Sequence, residues 1–210
     1  HSRGDIHIHD LDFYLLTINC CQIALKDLFK RGFSTGHGFL REPQSIQSAA
    51  ALCCIAIQSN QNDMHGGQSI PMFEYDLAPY VERSYVKHLE RVIKIVLRND
   101  DLDVSELKEL CHKLYEEKNT CLSEDTQSQI KEKVKTYLGQ NNEDSEETLN
   151  YVMSEAIKLV ERETYQAMEA LIHNLNSMQS RAGAQVPFSS INYGTGTTPE
   201  QRMIIRNVLM

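Results

Sequence analysis

The sequence predicts an α/β fold, rich in helix and poor in strand, with its strands paired in parallel. Three observations carry that reading. From Asp12 to Leu25 the chain is apolar and β-rich with no charge after Asp12, as in a strand covered on both faces. A second buried-looking strand lies in RAGAQVPFSSINYG (Arg181 to Gly194), although Pro187 confines it to an edge, a bulge or a strand start. Between and after them run apolar stripes at helical spacing, and the order strand, helices, strand, helix fits parallel pairing within part of a larger barrel.

Taken in order, the first strand is followed by a helical turn in ALKDLF and then by Gly32 to Pro43, whose glycines and proline are loop chemistry that lets backbone approach a ligand or another chain. Ser45 caps a helix with apolar Ile46, Ala49, Ala50, Cys53, Cys54 and Ile57, so that both cysteines read as small core residues. Ser59 to Tyr80 reads as a polar, glycine-bearing connection, and Val81, Tyr85, His88, Leu89, Val92 and Val96 mark the next helix. Composition changes near Asn99, and residues 99–147 read as an acidic helical insertion with starts at Asp103 and Ser123 and a stop at Gly139. A long helix spans Glu147 to Met178. At the end, Thr197 or Thr198 caps a helix that has Pro199 in its first turn. The chain thus divides into 1–98, 99–147 and 148–210, with no internal repeat. Opening without Met and closing inside an uncapped helix, it reads as a piece of something larger.

At 210 residues, 41% hydrophobic and 24% charged, the chain can bury a sizeable core, and no run is long enough for a membrane span. A net charge of -8 with no Lys/Arg cluster argues against a protein that holds nucleic acid by its phosphates. Six cysteines in a core-rich chain with no secretory signal suggest a reducing, cytoplasmic setting, and the absence of any C-x-x-C pair argues against thiolate zinc. His7 and His9 share a face with Asp5, which is small-metal chemistry, but a hydrogen-bonded structural role is the better reading and no metal is assigned. His37 and His65 sit in glycine-bearing loops. GTGTTPE leads small residues into a helix start, where amides can face an anion or simply be capped. In TINCCQIAL, strand neighbours point to opposite faces, so Cys20 and Cys21 cannot both serve one site. If chemistry is present, one of them faces it and the other packs.

Four stretches, RGDIHIHDLDFY...TINCCQIAL, GFSTGHGFLREPQSIQSAAA, QSNQNDMHGGQSIPMFEYDLAPYV and SRAGAQVPFSSINYGTGTTPE, together resemble the class III anaerobic ribonucleoside-triphosphate reductases, over residues 1 to about 97 and about 148 to 210. The resemblance implies part of a ten-stranded α/β barrel from an enzyme that makes deoxyribonucleoside triphosphates by radical chemistry. It implies a glycyl radical installed by an iron-sulfur activating enzyme with S-adenosylmethionine, a thiyl radical on a loop cysteine, and formate as the common electron source. The strand cysteine that helps reduce the 2' position matches Cys20, after Asn19, with Cys21 as its packing neighbour.

Gly194, Thr195, Gly196, Thr197 and Thr198 would help hold substrate phosphate, and His37, Gly38, Arg41 and Lys87 would contact a deoxynucleotide effector near a homodimer interface. The loop cysteine, the glycyl-radical loop, the zinc-binding cysteines and the ATP-binding module have no counterpart in these residues. By itself the chain is expected to be inactive and to need no cofactor. The competing readings are a nucleotide-binding or dimerisation module without turnover, and another glycyl radical enzyme.

Overall fold

The computed structural model describes residue 3 and residues 20–64, 66–139, 144–179 and 185–210. Along the chain these form β1 (Cys21–Gln22), α1 (Leu25–Arg31), β2 (Phe33–Ser34), β3 (Phe39–Leu40), α2 (Ile46–Gln61), β4 (Gln68–Ile70), α3 (Phe73–Leu97), α4 (Ser105–Lys118), α5 (Glu124–Leu138), α6 (Asp144–Ser177), β5 (Ser189–Ile191) and α7 (Pro199–Leu209). The class is α/β with a large excess of helix, and β1, β4 and β5 pair in parallel in that spatial order. Of the first expected strand, Asp12 to Leu25, residues 20–25 are described: Cys21–Gln22 form β1 and Leu25 already opens α1, while Asn19, His7, His9, Asp5 and His65 lie outside the described residues.

Two stretches differ from their sequence reading. Ser59 to Tyr80, read as a connection, contains the central strand β4 and the first turns of α3. β4 is three residues long, too short to show a period, and it turns the polar Gln68 inward at 2% exposure. Pro79 lies inside α3, where the missing N–H leaves the Tyr75 carbonyl without its helical donor. The helix continues through it because Phe73, Leu77, Tyr80 and Val81 on either side are buried in the core. The glycine-bearing loop Gly32 to Pro43 holds a short antiparallel hairpin of β2 and β3. Gly32 is required there: its φ is +68°, and a Cβ would come within 2.4 Å of the Phe39 ring and 2.6 Å of the Leu40 carbonyl.

The helix ends follow the local signals. Ser45 with Ser48, and Thr198 with Gln201, form reciprocal capping boxes, Ser123 caps α5 through the Thr126 amide, and α5 stops at Gly139. Asp103 accepts from the Ser105 amide at 2.9 Å, so it serves the start of α4 although the helix begins at Ser105. α1 has no side-chain cap of its own. Asp76 of α3 supplies one, accepting from the Leu25 and Lys26 amides, which partly offsets the burial that raises its carboxyl above the ordinary value.

α2, α3 and α6 pack on one another, α7 lies across α3 and α6, and α5 rests on α6. Ile46, Ala49, Cys53 and Ile57 of α2, Tyr85 and Leu89 of α3, and Val152, Ala156, Val160 and Met168 of α6 fill this core. The apolar faces of residues 99–147, including Leu107, Cys111, Leu114, Ile130 and Val134, join the same cluster. Cys53 and Cys54 are packing residues, and burial holds the Cys53 thiol well above its ordinary value and pushes Cys54 up to about 11.

Buried polar groups tie these helices at fixed points. Ser84 accepts from the Ile46 amide at 3.0 Å and donates to Glu163 at 3.1 Å, and His88 lies 2.7 Å from the other Glu163 oxygen. Burial pushes Glu163 up, but the bonds and charge from His88 together with Ser84 outweigh it and hold the carboxyl below its usual range. Glu200, fully buried, accepts from Thr120 Oγ1 at 2.7 Å and from the Cys121 and Leu122 amides at 2.6 and 3.0 Å, fastening the α4–α5 link to α7.

Glu82, 4% exposed, is pushed up to about 7, chiefly by burial, with Arg83 opposing and Glu200 adding to the rise. The folded pKa lies above the unfolded one near 4.5, so Glu82 costs nothing below pH 4.5, where it is neutral in both states. As pH rises from 4.5 to about 7 the unfolded chain ionises first and stability falls. Glu82→Gln removes that linkage. Urea unfolding should show the variant gaining about 2 kcal/mol more over wild type at pH 8 than at pH 5, and a pH-independent difference would contradict the assignment.

Candidate functional site

The parallel register places Cys21, Gln68 and Ser189 in one row and Gln22, Ser69 and Ser190 in the next. Gln68 points to the helices, where its Nε2 donates to the Ile57 carbonyl at 2.9 Å. Cys21 shares that rear face: its Sγ accepts from Asn60 Nδ2 at 3.0 Å and lies 3.5 Å from Met64 Sδ. The row of Gln22, Ser69 and Ser190 therefore faces forward. Cys20 is exposed and lines, with Gln22, Ser69, Phe188 and Ser190, an open cavity of about 570 Å³. Cys20, just before β1, opens on the front, whereas the Cys21 thiol bonds at the rear, where the half-buried Cys21 also lines a second cavity of about 410 Å³ with Asn60. Phe188 is 67% exposed, which gives the front an apolar wall beside its hydroxyls.

The loop from Gly194 to Thr198 lies beyond the carboxyl ends of β4 and β5, where α/β folds bind ligands. Cys20 lies at the opposite end, level with Gly67. The three residues from there to Ile70 amount to about 10 Å of strand. The five amides of this loop are already engaged. Gly194, Thr195 and Gly196 donate to one oxygen of Glu74 at 3.0, 3.0 and 2.9 Å, and Thr197 and Thr198 donate to Gln201 Oε1 at 3.0 and 3.1 Å. The anion gathered by this helix start is a side chain of the protein itself, Glu74, 1% exposed. Of the loop hydroxyls, that of Thr195 accepts from Tyr75 at 3.2 Å and that of Thr198 accepts from the Gln201 amide at 3.4 Å. Gly194 has φ +112°, and a Cβ on Gly196 would come within 2.6 Å of Gln201 and 2.9 Å of Glu74, so both positions need glycine.

His37 and Gly38 lie at the exposed tip of the β2–β3 hairpin, and Arg41 is exposed just after β3. The segment that follows is docked on α3: Arg83 donates to the Pro43 carbonyl at 2.7 Å and pairs with Glu42 at 2.7 Å. Lys87 stands one helical turn beyond Arg83, in a shallow cavity with Arg91 and Lys94, and is itself exposed. The hairpin and Lys87 are thus joined through α3, with no bond between the four candidates. Among the described residues no three His, Cys, Asp or Glu side chains converge as metal ligands, and no helix is long and apolar enough to cross a membrane.

A family model for the anaerobic ribonucleoside-triphosphate reductases matches residues 1–210. The chain belongs to this family. It is 26% identical over 211 residues to the anaerobic ribonucleoside-triphosphate reductase of Enterobacteria phage T4, covering 100% of the chain and 26% of that relative. Against the reductases of the same name from Escherichia coli K12 and Salmonella typhimurium LT2 it is 29% and 26% identical, covering 22% of each. The chain therefore spans about a quarter of the length of the curated relatives it matches.

Glu74, Asn60 and Gln68 escaped the sequence reading because all three lie in or beside the stretch taken for a connection. The signal that could have found β4 is GGQSI, a short β-capable run directly after paired glycines. Glu74→Ala should cost at least ~3 kcal/mol, since three backbone donors lose a charged acceptor together. Glu74→Gln should recover part of it, as measured by denaturant unfolding. Equal stability of Glu74→Ala and wild type would show that the loop does not depend on this carboxylate.

Proposed function

We propose that this chain is the part of an anaerobic ribonucleoside-triphosphate reductase that presents a reducing cysteine, Cys20, to the ribose of a ribonucleoside triphosphate. The observation that carries the reading is the exposed thiol of Cys20 on the open face of a parallel sheet, with its neighbour turned away, in a chain of this family. A hydrogen donor must be fixed on a rigid element where water can be excluded. The sheet supplies the rigid element, and the remainder of a ten-stranded barrel would supply the exclusion.

The reaction replaces the 2'-hydroxyl by hydrogen. With formate as reductant it balances as ribonucleotide plus formic acid giving deoxyribonucleotide, carbon dioxide and water. The hydroxyl leaves as water, with formic acid supplying the proton overall. Cys20 gives a hydrogen atom to the 2' position, and the thiyl left behind takes a hydrogen atom from formate, whose remaining electron reduces the sugar as carbon dioxide leaves. A glycyl radical, installed through S-adenosylmethionine and an iron-sulfur activating enzyme, supplies the oxidising equivalent that opens the 3' position. Structural zinc belongs with that other part of the enzyme.

The strand span of about 10 Å from the level of Cys20 to the carboxyl end of β4, with the Gly194–Thr198 loop beyond it, suits a ribose at one end and a triphosphate chain reaching toward the other. Because Glu74 and Gln201 hold the loop amides, contact with phosphate falls to the hydroxyls of Thr195, Thr197 and Thr198 or requires Glu74 to yield. Asn19, the residue before Cys20 in sequence, is also proposed to bind substrate.

Regulation is proposed at His37, Gly38, Arg41 and Lys87, where cationic side chains can pair with the phosphates of a deoxynucleoside triphosphate or ATP, at the interface of a cytoplasmic homodimer. In the activated full-length enzyme, Cys20→Ser should abolish deoxynucleotide formation while the glycyl radical still forms, as read by electron paramagnetic resonance. Retained turnover would remove Cys20 from the mechanism. Lys87→Ala and Arg41→Ala should each weaken effector binding about tenfold, one charge-assisted contact, by calorimetry with deoxynucleoside triphosphates. Unchanged affinity in both would place the effector elsewhere.

A further inference from the structure

We infer that Asn60 is a positioning residue for Cys20, acting through the strand beside it. The inference rests on the reading of Cys20 given above. β1 is two residues long. Its ladder to β4 runs through the Cys21 amide to Gly67 O at 3.2 Å and the Ile23 amide to Ser69 O at 2.8 Å. Among the described residues this ladder is short, and the twist of the strand about its own axis decides where Cys20 points.

A side-chain tie behind the sheet supplies what the ladder lacks. Asn60, in the last turn of α2, places Nδ2 2.9 Å from Gln68 Oε1, 3.0 Å from Cys21 Sγ and 3.1 Å from Met64 Sδ. The amide has two hydrogens for these three acceptors, so the carboxamide oxygen takes one and the sulfurs share the other. Gln68 passes the tie on, its Nε2 donating to the Ile57 carbonyl one turn back in α2. One asparagine therefore joins β1, β4 and α2 at a single point. Gln68 is 2% exposed, which keeps water from competing for the amide pair.

Cys20 immediately precedes β1, so its direction is set by how Cys21 is held. With the Cys21 thiol bonded at the rear, Cys20 opens into the front cavity that it lines with Ser69 and Ser190. Asn60 does not itself touch that cavity. Its role is to keep the donor sulfur in line with a reacting carbon, where an error of about 1 Å costs on the order of 100-fold in rate.

The test uses the full-length, activated reductase with Asn60→Ala and the near-isosteric Asn60→Asp, which puts an acceptor where the donor stood. Deoxynucleotide formation per glycyl radical should fall roughly 10- to 100-fold, with radical yield and substrate KM close to wild type. Radical loss or base release per turnover should rise. Cys21→Val, which removes the accepting sulfur from the other side, should reproduce this partition.

Turnover per radical within twofold of wild type in both Asn60 variants would overturn the inference. So would losses of radical yield and turnover in equal proportion, or failure of both variants to fold, since each assigns Asn60 to stability alone. Cys20→Ser separates the two claims. If it turns over normally, the reading of Cys20 fails; if it is dead while Asn60→Ala is normal per radical, only the role of Asn60 fails.

Discussion

A polar amide buried at the centre of a three-stranded parallel sheet is the constraint on which the rest of this structure depends. Gln68 cannot be left unsatisfied where it sits, because an unpaired buried amide costs more than its bond returns. Its two ends are met by Asn60 and by the Ile57 carbonyl, both on α2. The amide of the same residue bonds the Phe188 carbonyl of the β5 side at 2.8 Å. Sheet and helix are thereby locked at one register, and the front of the sheet inherits its arrangement from the bonds behind it.

The acidic composition acquires a structural meaning in this light. Much of the net negative charge is solvated surface, but a few carboxylates are buried and work as acceptors for main-chain donors. Asp76 closes the start of α1, Glu200 gathers the link before α5, and Glu74 gathers the loop before α7. Each lies far in sequence from the amides it serves, so each also fixes a tertiary contact. Glu74 bears most directly on function, since the loop it organises is the one proposed to meet substrate phosphate. A carboxylate already held there shapes the loop and also repels a second anion. The hydroxyls on its rim are then the natural point of approach.

The two candidate regions differ in how they are held. Cys20 sits against a rigid sheet with a buried polar backing. The hairpin carrying His37 and Gly38 projects from the body and is anchored at its base, where Arg83 holds Glu42 and Pro43. A hydrogen donor needs fixed geometry, whereas an effector loop needs freedom to close on a ligand. That division agrees with the roles proposed for them.

By itself the sequence determined the α/β class, the caps at Ser45 and Ser123 and a cap at Thr197 or Thr198, the apolar stripes of α2, α3 and α6, and the rule that adjacent cysteines part. All of these are local, set by neighbours within a turn or a pleat. The resemblance of its motifs selected Cys20 over Cys21. Tertiary structure alone decided that GGQSI is a central strand, that Pro79 stays within α3, and that Glu74 occupies the amides of Gly194 to Gly196. Each of these depends on partners tens of residues away or more. A three-residue strand or a lone carboxylate has no period, so its place is known only when the partner that satisfies it arrives.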